Sequence, residues 1–223
     1  KMIPEKAQQI LDFWFKETSA EKRFKKDQAF DQTIKDRFLN DYELASQNEY
    51  DDWQDQPMSA LALVILFDQF SRNMFRDDKK AFAQDHKSRL IVNDAVYAGY
   101  LEAMNESQRF FMILPLIHSE EITDHDMAYY LLNKYLREHE DYVQIKRFWK
   151  DHTKAIRQFH RYPHRNNVLG RQSTEEEIAF LKNLDSIIIY DRNLLKTENF
   201  SIKTRLHNNK LNNGNSLNIG EFS

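Results

Sequence analysis

Cysteine is absent from this chain of 223 residues, and glycine and proline are scarce, with four of each. Without cysteine, the chain has no disulfide framework, no thiolate ligand for a metal and no cysteine nucleophile. An all-β protein needs glycine and proline at its many turns, so their scarcity argues against that class. The composition therefore predicts an all-α protein.

The sequence also lacks an excess of charge of one sign and a long apolar run. Lysine plus arginine number 32 and aspartate plus glutamate number 35, with the two signs interspersed. This balance leaves no basic surface for nucleic acid and no polybasic patch for a membrane. No apolar run is long enough to span a bilayer, and the first residues lack the apolar core of a secretory signal. We therefore expect a cytoplasmic protein whose partners include neither nucleic acid nor a membrane.

One apolar segment, Ser59 to Arg76, is predicted to form the central helix of the fold. Its apolar residues cover nearly the whole circumference of a helix, which is typical of a helix surrounded by others. Asp68 falls on the same stripe as Leu61 and Ile65, because residues three and four apart share a helix face. Asp68 is therefore predicted to point inward, and a carboxylate in such a place must be paired.

Amphipathic patterns on both sides of this segment predict further helices joined by short turns, one of them capped by Asp85. We expect antiparallel helical hairpins in a compact, tetratricopeptide-like domain with degenerate repeats, because no clean period of about 34 residues is present. A closed globular bundle is the alternative. The domain is predicted over residues 1–184, and residues 185–223, which lose the periodicity, are predicted to form an irregular or loosely docked tail.

Three polar motifs stand at the ends of apolar helices: DQFSRNMFR at residues 68–76, PLIHSE at residues 115–120 and YPHRNNVLGR at residues 162–171. Together with DFWF at residues 12–15 and STEEE at residues 173–177, they closely resemble the bacterial family of unknown function DUF924. The resemblance runs from about Ile10 to Leu181. It implies an all-helical, tetratricopeptide-like fold and no established activity.

Two positions depart from the family pattern. The pattern has proline where this chain has Ser71, and glycine where it has Asp77.

The residue types in the three motifs suggest a pocket. Arginine outnumbers acidic residues there, and arginine binds carboxylate or phosphate through two parallel hydrogen bonds, which favours an external anion. His118, His164 and Glu120 are candidate proton-transfer groups. We therefore expect a site for a small anionic molecule, with no reaction assigned. Its predicted lining residues are Asp68, Arg72, Asn73, Arg76, His118, Glu120, His164, Arg165, Asn166 and Arg171.

Two other interpretations stay open. In the first, Asp68 and Arg72 pair along one helical turn, and Asn166 and Arg171 cap helix ends, so that these groups only hold the fold together. In the second, the concave face of a tetratricopeptide-like scaffold binds a peptide or protein.

A metal or a cofactor is not predicted. His118, Glu120 and His125 belong to residue types that bind metals, but the H-E-x-x-H spacing is absent. Acidic residues near Thr123 are also those that a helix N-terminus prefers. The sequence specifies no oligomeric state.

Overall fold

The computed structural model describes residues 2–182, and within this range the chain is all-α, without a strand. The predicted domain boundary at residue 184 and the predicted tail lie outside the described residues. The α-helices are α1 (Glu5–Asp12), α2 (Ala20–Phe24), α3 (Gln28–Ser46), α4 (Pro57–Val64), α5 (Ser71–Met74), α6 (Asp85–Tyr97), α7 (Glu106–His118), α8 (Ile122–Tyr135), α9 (Tyr142–Phe159) and α10 (Glu175–Lys182).

Local sequence signals explain where several helices begin. Asp27 precedes α3 and accepts a hydrogen bond from a backbone N–H of its first turn. Pro57 occupies the first position of α4, where its missing N–H would have had no partner in any case. Asn105 and Gln108 form a reciprocal capping box at the start of α7. These signals fix the first residues of α3, α4 and α7.

The predicted central segment lies at the centre of the fold. It is α4, followed by a wide π-helical turn, Ile65–Phe70, and then by α5. All residues from Ser59 through Met74 are buried, and α1, α3, α6 and α7 pack around them. Each large apolar side chain buried in this way contributes about 1.5–3 kcal/mol. The wide turn carries Asp68 into this apolar surrounding.

Aromatic rings join the N-terminal part of the chain to the central segment. The ring of Phe70, in the wide turn, is fully buried, and its centroid lies 4.9 Å from that of Phe38 and 5.6 Å from that of Trp14. The Phe13 ring meets Phe70 edge-on at 5.7 Å. Edge-to-face and offset pairs at these distances stabilise a fold by more than the burial of their apolar area alone.

Phe70→Ala is expected to lower the free energy of unfolding by about 3–5 kcal/mol, because it removes a buried ring that the surrounding helices cannot replace. Leu90→Ala is the matched control, since Leu90 is 55 % exposed on α6, and it should cost less than about 1 kcal/mol. Urea unfolding followed by circular dichroism measures both. Equal losses in the two variants would contradict the central position of Phe70.

Candidate functional site

Asp68 is a fully buried carboxylate in the wide turn between α4 and α5. Its Oδ1 lies 2.6 Å from His118 Nδ1 and 3.2 Å from Arg72 Nη1, and its Oδ2 accepts a hydrogen bond of 2.5 Å from the Gln69 side chain. Burial opposes ionisation, but the charges of His118 and Arg72 outweigh it and hold the pKa of Asp68 below its usual range. Asp68 therefore points inward, as predicted, and has the charged and hydrogen-bonding partners that a buried carboxylate requires.

Arg72 extends this cluster to α6. Its Nη1 and Nη2 each donate a hydrogen bond of 2.9 Å to a different carboxylate oxygen of Asp85. Burial raises the pKa of Asp85, against the opposing charges of Arg72 and Arg165. Arg165 Nη1, from the loop after α9, lies 3.4 Å from Asp85 Oδ2. A continuous charged network therefore runs from His118 through Asp68, Arg72 and Asp85 to Arg165.

Arg165 is incompletely hydrogen-bonded. Its side chain is 6 % exposed, and its guanidinium carbon lies 4.6 Å from the ring centroids of both Phe82 and Tyr162. The only hydrogen bond of this side chain within residues 2–182 is the 3.4 Å contact with Asp85, and its buried Nε has no partner there. A guanidinium carries five N–H donors in a fixed plane. Arg165 therefore has hydrogen-bonding capacity that the described part of the chain does not use.

His118, the last residue of α7, is oriented by its contact with Asp68. Because Nδ1 faces this carboxylate, Nε2 lies on the far side of the ring. Nε2 has no hydrogen bond to any described residue, and the side chain is 8 % exposed. A histidine whose Nδ1 is held by a carboxylate presents Nε2 for proton transfer, as in the triad of serine proteases. His118 can therefore act as a proton donor or acceptor towards a ligand that reaches it.

A second cluster fixes the loop that carries Arg165. Arg171 donates to both carboxylate oxygens of Glu120, at 2.7 and 2.9 Å, and to Asn166 Oδ1 at 2.9 Å. The Tyr162 N–H donates to Glu120 at 2.8 Å. Burial opposes ionisation of Glu120, but the hydrogen bonds from Arg171 and Tyr162 keep its pKa below the usual range. This cluster ties the loop to the turn after α7.

A third cluster contains Asn73 and Arg76, which turn towards Asp31 of α3. Arg76 donates to both carboxylate oxygens of Asp31, at 2.7 and 2.8 Å, and Asn73 donates to the same carboxylate at 2.6 Å. These three residues line an open cleft of about 540 Å³ together with Lys26 and Lys35. The cleft is thus built around an arginine that already has a carboxylate partner.

The ten residues predicted for one pocket are therefore distributed over neighbouring clusters. His164 lies beside the Tyr162 ring, with centroids 5.3 Å apart, and this ring also contacts Arg165. The sequence analysis missed the two acids that complete the clusters: it assigned Asp85 to a helix cap and did not single out Asp31. The signal that could have found them is the arginine excess itself, since arginines inside a fold require acids from elsewhere when their own motifs have too few.

Glu177 anchors α10 on the same loop region. Arg161 Nε and Nη2 donate to its two carboxylate oxygens at 2.6 and 2.8 Å, and the Thr174 N–H donates to it at 2.8 Å. The hydrogen bond from Arg161 is the main reason why the pKa of Glu177 falls to about 2. The ionised carboxylate thus holds the start of α10 to the chain that follows α9.

Metal and membrane features are absent from the part of the chain that the structure describes. Residues 2–182 contain no group of three or more His, Asp or Glu side chains placed to hold a metal ion. No helix in this range has the length and apolar character needed to cross a membrane.

Comparisons with known proteins agree with the all-α fold and with the family resemblance of the sequence. The family model described as a bacterial protein of unknown function (DUF924) matches residues 10–185. The chain belongs to the DUF924 family. A solved structure of a protein of unknown function from Agrobacterium tumefaciens is similar, with 34 % identity and a TM-score of 0.71, over 79 % of this chain and 97 % of that one. No curated protein matches the chain.

The structure explains the residues at the two positions where the resemblance implies proline and glycine. Ser71 begins α5, and its hydroxyl donates a hydrogen bond of 2.6 Å to the Phe67 carbonyl, which proline could not do. Asp77, where the pattern has glycine, adopts a φ of 62°. This left-handed conformation suits glycine, and aspartate tolerates it better than most other residues.

Asp68→Asn is expected to lower the free energy of unfolding by about 3–5 kcal/mol, because it removes the charge that Arg72 and His118 share in the core. Glu17→Gln is the control. It removes one partner of the exposed Arg37–Glu17 pair, with N and O 2.7 Å apart, and should cost at most about 1 kcal/mol. Denaturant unfolding at neutral pH measures both, and a loss in Asp68→Asn no larger than in the control would contradict the role of the buried charge.

Acidification should release α10. Since Glu177 has a pKa of about 2 in the folded state, against about 4.3 when unfolded, its contribution is complete above the unfolded value and disappears as the pH falls towards 2. The melting temperature of Glu177→Gln should therefore be below that of the wild type at pH 7, and the difference should vanish near pH 2. Glu175→Gln, which changes an exposed carboxylate two residues earlier in α10, should alter the melting temperature much less. A difference between wild type and Glu177→Gln that does not change with pH would refute the assignment.

Proposed function

We propose that this DUF924 protein binds a small anionic molecule at Arg165, at one end of the charged network that begins at His118. The observation that carries the proposal is the buried Arg165 guanidinium, which lies 4.6 Å from each of two aromatic rings and makes one long contact to a carboxylate. A buried cation without its full set of hydrogen bonds costs folding free energy. A ligand that supplies acceptor oxygens recovers part of that cost on binding, and a carboxylate or phosphate matches the geometry of the guanidinium.

The charge distribution favours an anion over a cation. Both carboxylates of the network already bridge cations: Asp68 binds His118 and Arg72, and Asp85 binds Arg72 and Arg165. A cationic ligand would have to displace one of these contacts. An anionic ligand needs only the donors of Arg165 that the described residues leave unused.

His118 adds a proton-transfer group to the proposed site. Its Nε2 points away from Asp68, which fixes the ring, so a ligand that extends from Arg165 to His118 can exchange a proton there. We assign no reaction. Among the other residues predicted for the pocket, Arg76 and Arg171 each bind a carboxylate through two donors, and we propose that they and their partners support the site.

Two broader expectations also belong to this proposal. A tetratricopeptide-like stacking of hairpins is supported by the succession α6, α7, α8 and α9, in which each helix packs on the next. The same succession is what supports a peptide-binding scaffold as the second candidate function.

A cytoplasmic location is supported by the balanced charge and the absence of cysteine.

A thermal-shift screen tests the proposed function. Organic acids and phosphate monoesters, compared at constant ionic strength, should include a compound that raises the melting temperature of the wild type. At a concentration of a hundred times Kd, the stabilisation expected from mass action is about 2.7 kcal/mol. Arg165→Gln should remove this response, because it removes the guanidinium while keeping a polar side chain.

Arg37→Gln is the matched control for the screen, because it removes another arginine, 41 % exposed, that pairs with Glu17. This variant should respond to the compound as the wild type does. Retention of the response in Arg165→Gln, or no response in the wild type to any compound, would count against the site and in favour of a purely structural network.

A further inference from the structure

An open apolar groove lies beside the proposed site. Its volume is about 340 Å³, and it is lined by Lys79, Lys80, Phe82, Ala83 and Leu169. Pockets that hold small molecules in proteins begin at about 300 Å³. The groove is therefore large enough for part of a small ligand.

Two elements connect the groove to Arg165. The Phe82 ring, which lines the groove, has its centroid 4.6 Å from the guanidinium carbon of Arg165 and 5.4 Å from that of Arg72. On the other wall, the Leu169 N–H donates a hydrogen bond of 2.9 Å to the backbone carbonyl of Arg165. The ring and the loop that hold Arg165 are therefore also the walls of the apolar groove.

The charge at the groove is positive. Lys79 and Lys80 are exposed and belong to its lining, which contains no carboxylate. The nearby carboxylate of Asp78 accepts a hydrogen bond of 2.8 Å from the Lys80 N–H and so caps its own turn. Apolar walls, two lysines and a buried arginine in contact with the Phe82 ring are complementary to a molecule with an apolar part and an anionic head.

We propose that the ligand is an amphipathic anion, a medium-chain carboxylate or phosphate monoester. Its head group binds Arg165, and its apolar part lies in the groove between Phe82 and Leu169. This inference rests on the proposed function and adds the chemical class of the ligand.

Titration calorimetry with a matched set of probes tests the inference. The probes are acetate, hexanoate, inorganic phosphate, hexyl phosphate, hexanol and hexyltrimethylammonium. Each fully buried methylene is expected to tighten binding about fourfold. Since the groove is open, we expect hexanoate or hexyl phosphate to bind at least about tenfold more tightly than acetate or inorganic phosphate. The stronger of the two series identifies the head group.

Leu169→Ser separates the groove from the head-group site. It should weaken the binding of the hexyl anion about tenfold, by removing one apolar wall, and leave the binding of the short anion unchanged. Arg165→Gln should weaken both, with its fold checked by circular dichroism. Leu90→Ser, which changes a leucine on α6 outside the groove lining, should affect neither.

The possible outcomes distinguish this inference from the proposed function. If short and hexyl anions bind equally, and Arg165→Gln abolishes both, the anion site stands and the amphipathic class is wrong. If hexanol or hexyltrimethylammonium binds as tightly as the hexyl anions, the groove binds the hexyl chain without a contribution from Arg165, and the assignment of the head group is wrong. If no anion binds the wild type, both proposals fail.

Discussion

The buried carboxylate of Asp68 is the constraint on which the polar part of this structure depends. Moving a carboxylate out of water costs several kcal/mol even after relaxation, and attraction to partners repays this only when their geometry is good. Here His118 and Arg72 share one oxygen of the carboxylate, and Gln69 binds the other. The wide turn Ile65–Phe70 holds the carboxylate where α7 and α5 can both supply these partners. Irregular turns of this kind within helices occur frequently at functional sites.

Arg72, one of the partners of Asp68, needs further hydrogen-bond acceptors of its own. Arg72 is itself buried and carries more donors than Asp68 can accept, so Asp85 from α6 takes two of them. Asp85 in turn faces Arg165, whose loop is held in place by the pair of Glu120 and Arg171. Replacing such a network with apolar residues of similar volume often leaves stability unchanged or increases it. A network of this extent at the end of the central helix is therefore poorly explained by stability alone, and proteins commonly accept such local costs at functional sites.

The sequence predicted those parts of the structure that depend on helical periodicity. The burial of Asp68 and its pairing with Arg72 follow from residues three and four apart on one helix, and both are present. The partnerships of Arg72 with Asp85 and of Arg76 with Asp31 join residues 13 and 45 positions apart, so they depend on how the helices pack. Successive residues of a helix also point about 100° apart, so that Asn73 turns to a different neighbour from Arg72. A single pocket for all three motifs could therefore not be derived from their composition.

The arginine excess of the three motifs has two explanations, and the contacts divide the arginines between them. Arg72, Arg76 and Arg171 each donate twice to a carboxylate of the chain, and two of those carboxylates, Asp85 and Asp31, come from outside the motifs. For these arginines an external anion is unnecessary. Arg165 differs, because two aromatic rings lie 4.6 Å from its guanidinium carbon and its side chain makes a single hydrogen bond among the described residues, of 3.4 Å, to a carboxylate. The aromatic rings stabilise the positive charge, but they provide no acceptor oxygen for the N–H donors of the guanidinium. Arg165 is therefore the one arginine of the three motifs that an external anion would serve, and the apolar groove near it limits what such a ligand can be.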